Sequence, residues 1–136
     1  MTNVVQVYDY RFPTTDWPIM RFQVRVSEIA QSLGFEVENW EDQLGPVHGM
    51  LLRLPSGRVV ALCELQHLID NHRAMGPSVH VDAGAIAEFG VEHLISEVLT
   101  SLGLSQQMVD WRASSEAQES AIDFVKRAAA YRKQKE

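Results

Sequence analysis

Residues 50–65 have the sequence MLLRLPSGRVVALCEL. Two apolar runs, at residues 50–54 and 58–65, flank the short segment 55–57, which ends in glycine. A short glycine-containing loop between two such runs is typical of a β-hairpin. This hairpin is the strongest local signal in the chain, and it predicts an antiparallel sheet at the centre of the fold.

Further strands are expected on both sides of the hairpin. Runs of β-branched and aromatic residues predict strands over residues 4–10 and 79–82, and an extended segment over 35–40. Residues 16–34 allow two interpretations. Helical spacing after an Asp16 cap favours a helix, whereas alternation of apolar and polar residues up to Val26 fits a strand. The helix is preferred because both of its ends carry helix-boundary residues.

Two helices are expected in the C-terminal part. The first has one apolar stripe over residues 91–102. Ile86 and Phe89 lie off that stripe, which indicates a helix break at Gly90, a second covering element or a partner; we prefer the break. The last helix begins with a capping box at Ser115.

Together these elements predict one α+β domain over residues 1–136. We expect a mostly antiparallel sheet of about four to five strands with about three helices packed on one face. The last few residues are expected to fray.

The composition indicates a globular protein without membrane or secretory signals. The chain has 136 residues, of which 46% are apolar, and a single cysteine, Cys63. One cysteine excludes an internal disulfide framework, and no apolar run approaches the length of about 20 residues that a membrane helix needs. We therefore expect a cytoplasmic protein without membrane contact.

The charge is distributed unevenly along the chain. Residues 126–136 contain five of the 12 basic residues and one of the 18 acidic ones. Residues 1–125 thus carry seven basic and 17 acidic residues, a formal charge of −10. This charge disfavours nucleic acid, because binding to phosphates depends on basic side chains. It suits a basic protein partner, although acidity that only maintains solubility is an equally simple explanation.

The densest acidic segment, residues 36–42, surrounds a tryptophan. Such a segment is typical of a surface that docks a basic partner, and the alternatives are a solvated edge strand or a weak pair of catalytic carboxylates. We predict a partner-binding surface that comprises Glu36, Glu38, Trp40, Glu41 and Asp42, with Glu64 and Asp70 as less central members.

The histidines suggest an alternative, metal-binding site. Its candidate ligands are His67, His72, His80 and Asp82. The spacing is weak support, since residues five apart on a helix lie about 140° apart rather than on one face. Cys63 lies in an apolar strand, where burial raises the pKa of a thiol and makes it inert. Phosphate-loop, dinucleotide-binding and nucleophile-elbow motifs are missing, so we expect no cofactor.

These observations predict a non-catalytic acidic module of the inhibitor, immunity or adaptor type. Such a module masks or recruits a basic partner protein. One alternative is a small metal-dependent hydrolase that uses the histidine and aspartate set. Another is a self-assembling structural subunit, a homo-oligomer in which Ile86 and Phe89 are buried against a neighbouring copy.

Overall fold

The protein is described from a computed structural model, which covers residues 3–66 and 76–135. Within these ranges the chain forms seven strands, four α-helices and one turn of 3₁₀-helix at Gln106–Met108. The strands are β1 (Val5–Val7), β2 (Asp16–Phe22), β3 (Glu38–Asp42), β4 (Gly45–Arg53), β5 (Val59–Leu65), β6 (Ser78–Asp82) and β7 (Val109–Arg112). The helices are α1 (Val26–Leu33), α2 (Ala83–Phe89), α3 (Val91–Leu102) and α4 (Glu116–Lys135).

All seven strands belong to one antiparallel sheet, which confirms the predicted fold class. The strand order is β1-β4-β5-β6-β2-β7, and β3 also pairs with β4. The long strand β4 pairs with β3 through its first half and with β1 through its second half. The prediction of about four to five strands and three helices was too low. It did not assign β2 or β7 as strands, and it assigned no helix to residues 83–89.

The central hairpin has the predicted form. The Leu54 amide donates to the Arg58 carbonyl, and the Gly57 amide donates to the Leu54 carbonyl, each at 2.8 Å. Gly57 has a φ of 94°, a conformation that glycine adopts without a steric penalty. The residues between the two apolar runs therefore fix the turn, as expected.

The preference for a helix from Asp16 onwards was wrong. The chain is a strand through Phe22, and α1 begins only at Val26. Ile19, Met20 and Phe22 are fully buried in the sheet, and the register with β6 shifts between Pro18 and Met20. That irregularity lets Ile19 and Met20 be buried in succession. The alternative interpretation, a strand indicated by alternating apolar and polar residues, is therefore correct as far as Phe22.

The hydrophobic core lies between one face of the sheet and the helices. It includes Met50 and Leu52 of β4, together with residues of α1, α2 and α3 and Ala121 of α4. Gly90, with a φ of 83°, separates α2 from α3, so the predicted break is present. Ile86 is fully buried in this core by its own chain, and Phe89 remains 42% exposed. Ile86 therefore cannot supply the self-association surface that was one alternative.

Opposite these helices, the sheet has a second face that none of the four described helices covers. Because side chains alternate along a strand, Gly49 and Leu51 of β4 face away from the core residues Met50 and Leu52. In the described part of the chain, no helix combines the length and hydropathy needed to cross a membrane.

Candidate functional site

The open face of the sheet forms a cavity of about 510 Å³. Its floor includes small side chains on two adjacent strands, where Cys63 of β5 is in register with Ser78 of β6. Ala61 extends the floor along β5. Since none of these side chains is large, the sheet leaves space above them that a ligand can enter.

Aromatic rings form two walls of the cavity. Tyr10 and Phe12, from the segment between β1 and β2, contact each other edge to face with their ring centres 5.2 Å apart. Trp40 extends from β3 over Gly49, where an added Cβ would collide with the indole ring and with the backbone carbonyl of Leu62. The glycine therefore gives the ring its place beside the floor.

Five carboxylates line the same cavity. They are Asp9, Asp16, Glu38, Asp42 and Glu64. Of these five acids, only Glu64 belongs to an arginine ion pair of the described residues. The arginine pairs are Arg21–Asp110, Arg25–Glu64, Arg58–Glu97, Arg112–Glu92 and Arg127–Asp123. Over residues 3–66 and 76–135, the other four cavity acids, Asp9, Asp16, Glu38 and Asp42, are thus not paired with an arginine or lysine.

Glu38 is the cavity acid in the least favourable environment. Desolvation raises its pKa above the usual value, and the nearby charges of Asp9 and Glu36 raise it further. Its Oε2 atom is buried and lacks a hydrogen-bond partner among the described residues. A buried acceptor without a donor is costly, so an incoming N–H group would be stabilised here.

Asp16 is paired with the cavity histidine. The Nδ1 atom of His80 lies 3.0 Å from Oδ2 of Asp16. His80 lowers the pKa of Asp16, mainly through this hydrogen-bonding contact and against the opposing effect of burial. Asp16 therefore faces the cavity as a carboxylate. The helix cap that the sequence predicted for this residue is not formed.

The pKa of Cys63 is affected by two of the cavity carboxylates. Burial, with a further contribution from the charges of Asp16 and Asp42, raises the pKa of its thiol to about 12. These two acids lie on β2 and β3, with three strands of the sheet between them. Their negative fields therefore meet at the floor of the cavity, and the thiol stays protonated and unreactive, as the sequence predicted.

The predicted contact surface is divided by the structure. Glu38, Trp40 and Asp42 line the cavity, whereas Glu41 is in register with Pro46 and faces away from it. Glu36 precedes β3 and is exposed, and its backbone exchanges hydrogen bonds with the Gln6 side chain. Three of the five central residues are thus brought together around one space.

The two less central members are placed differently. Glu64 has a side chain that is 2% exposed, bound to the Val26 amide and to the Arg25 guanidinium. Glu64 also lines the cavity, but its carboxylate is occupied in holding the start of α1. Asp70 lies outside the described residues.

The alternative metal set is only partly visible. His67 and His72 lie outside the described residues. His80 contacts Asp16, and Asp82 accepts hydrogen bonds from the amides of Thr14 and Gly84. Across the described ranges, no three histidine, cysteine or acidic side chains are grouped to hold a metal ion.

Sequence reasoning missed the cavity residues that come from distant segments. Asp9, Tyr10 and Phe12 were interpreted as part of a strand or its end, and Asp16 as a helix cap. The aromatic run over residues 8–12 was a usable signal, but its position over the sheet depends on tertiary structure.

Comparison with known proteins adds no assignment, because no family model, curated protein or solved structure matches this chain.

Proposed function

We propose that this protein is a non-catalytic binding module that holds a basic segment of a partner protein in the acidic cavity on the open face of its sheet. Such a module would mask or recruit its partner, in the manner of an inhibitor, an immunity protein or an adaptor. The proposal keeps the basic partner suggested by the sequence and moves the contact surface into the cavity.

The observation that carries the proposal is the group of four cavity carboxylates that no arginine or lysine of the described chain neutralises. Negative charge in a concave site with apolar walls attracts cations more strongly than the same charge on a flat surface, because less water screens it. The aromatic walls add area on which a partner side chain can pack.

Catalysis has weaker support. The one thiol in the cavity has a pKa of about 12, so the reactive thiolate is scarce at neutral pH. The lowered pKa of Asp16 and the raised pKa of Glu38 differ in direction, but the two residues lie on strands at opposite sides of the cavity.

The proposal can be tested with a fluorescently labelled nine-residue peptide of alternating arginine, lysine and glycine. We expect fluorescence anisotropy to show binding to the wild-type protein, and weaker binding as salt is added. An acidic peptide of the same length should not bind. The double variant Glu38→Gln/Asp42→Asn should reduce the affinity about tenfold, which corresponds to about 0.7 kcal/mol for each lost charge.

A matched control removes the same charge elsewhere. Glu41 faces away from the cavity and Glu88 is exposed on α2, so Glu41→Gln/Glu88→Gln should leave the affinity within about twofold of the wild type. Absence of binding to the wild-type protein, or an equal loss in both double variants, would refute the proposal.

A further inference from the structure

The cavity presents acceptors from several directions at once. Asp16 and Asp42 approach its floor from strands on opposite sides, and both act on Cys63 between them. Glu38 contributes a buried oxygen that has no donor among the described residues. A ligand that satisfies these groups together needs donors that point outwards in more than one direction.

The aromatic walls favour a flat ligand. Tyr10 and Phe12 are nearly perpendicular to each other, with an interplanar angle of 88°, so the pair offers both a ring face and a ring edge. Trp40 lies beside the floor over Gly49 on the β3 side. Aromatic faces attract cations, and a planar cation also stacks on them.

We infer that the cavity receives the guanidinium group of an arginine side chain, in preference to the ammonium group of a lysine. The guanidinium carries five N–H donors in a rigid plane, so it reaches carboxylates on opposite sides while its faces contact the aromatic rings. The lysine ammonium has three donors on a single nitrogen and no flat face. This inference rests on the proposed function and names the chemical group that the same site selects.

The test compares three peptides with the sequence Gly-Gly-X-Gly-Gly and blocked ends, in which X is arginine, lysine or citrulline. Citrulline has nearly the shape of arginine but no charge. Isothermal titration calorimetry should give an affinity for the arginine peptide at least tenfold higher than for the lysine peptide. The citrulline peptide should show no measurable binding.

Variants identify the groups responsible for the selection. Glu38→Gln should reduce the ratio of arginine to lysine affinity at least threefold, and Glu41→Gln should leave that ratio unchanged. Trp40→Leu should also reduce the ratio, whereas Trp111→Leu should not, because Trp111 is 41% exposed on β7 and does not line the cavity. Thermal unfolding of each variant establishes that it is folded, and Glu38→Gln tests the inference even if Trp40→Leu does not fold.

Failure of this inference can be distinguished from failure of the proposed function. Equal affinity for the arginine and lysine peptides, or an equal change of the ratio in Glu38→Gln and Glu41→Gln, would overturn the guanidinium selection. The guanidinium selection is also overturned if neither short peptide binds. In that case, binding of the nine-residue basic peptide would still support a basic partner. If no basic peptide of either length binds, both proposals are wrong.

Discussion

Replacing Glu64 with alanine should lower the free energy of unfolding by about 3 kcal/mol. The Oε1 atom of Glu64 accepts from the Val26 amide at 2.6 Å, and its two oxygens accept three bonds from Arg25 at 2.9 to 3.2 Å. Val26 is 2% exposed, so its amide has no access to water, and losing the partner costs about 2 kcal/mol. The Arg25 side chain is 44% exposed and can be rehydrated, so its loss adds only about 1 kcal/mol.

Chemical and thermal unfolding followed by circular dichroism measure this change. For a chain of this length, a loss of 3 kcal/mol lowers Tm by about 10 °C. Glu64→Gln should have a smaller effect, about 1 to 2 kcal/mol, because one oxygen remains for the Val26 amide. The control is Glu92→Ala, which removes the Arg112–Glu92 ion pair, in which the Glu92 side chain is 73% exposed, and should change stability by less than about 0.5 kcal/mol.

The result also decides the role of Glu64, which the sequence suggested as part of the contact surface. If Glu64→Ala is no less stable than Glu92→Ala, the structural role assigned to this carboxylate is wrong. A loss of peptide binding without a loss of stability would return Glu64 to the partner-binding residues.

Three further outcomes are expected. Because the pKa of Cys63 is about 12, its thiol should react with iodoacetamide far more slowly at pH 8 than a free cysteine does. Asp16→Asn should speed the reaction, because the charge of Asp16 contributes to the raised pKa. A rate equal to that of free cysteine would contradict the burial of this thiol. Gly49→Ala should displace Trp40 and destabilise the protein by about 2 kcal/mol, measured by urea unfolding, and a neutral substitution would disprove the close approach. Since His80 lowers the pKa of Asp16 below its usual 3.8, the folded state should gain stability from Asp16 above pH 3.8 and lose it as the pH falls through the lowered pKa. Unfolding curves of wild type and Asp16→Asn should therefore converge in that acidic range, and parallel curves would count against the His80 contact.

Local sequence signals predicted those elements whose boundaries depend on nearby residues. The hairpin turn at Gly57, the end of α1 at Gly34 and the break at Gly90 each need a backbone with positive φ, which glycine provides. These positions were correct because the physical requirement is local and does not depend on how distant segments pack.

The errors occurred where tertiary packing determines the outcome. Asp16 and Pro18 are residues that favour a helix start, yet both lie in β2, where pairing with β6 and burial of Ile19 and Met20 outweigh that preference. The short edge strand β7 has too few residues for a recognisable pattern.

The candidate site was only partly predictable for a related reason. Glu38, Trp40 and Asp42 line the cavity together because alternate residues of a strand share one face, a relation that holds within a single strand. The position of Asp16 opposite them depends on the register of four intervening strand pairings, which no pattern in one sequence determines. The acidic segment was thus visible, but the cavity that it lines was not.

The distribution of ion pairs supports a binding role for the acidity over a role in solubility alone. Acids that serve only solubility can lie anywhere on the surface, and pairing with arginines would not be expected to avoid one region. At the cavity, Arg25 pairs with Glu64, but Arg21, which lines the cavity, directs its guanidinium to Asp110 at 2.9 Å. The other four cavity carboxylates have no arginine or lysine partner among the described residues. The described chain therefore leaves negative charge uncompensated where the walls are concave and aromatic, and where an external cation gains most from it.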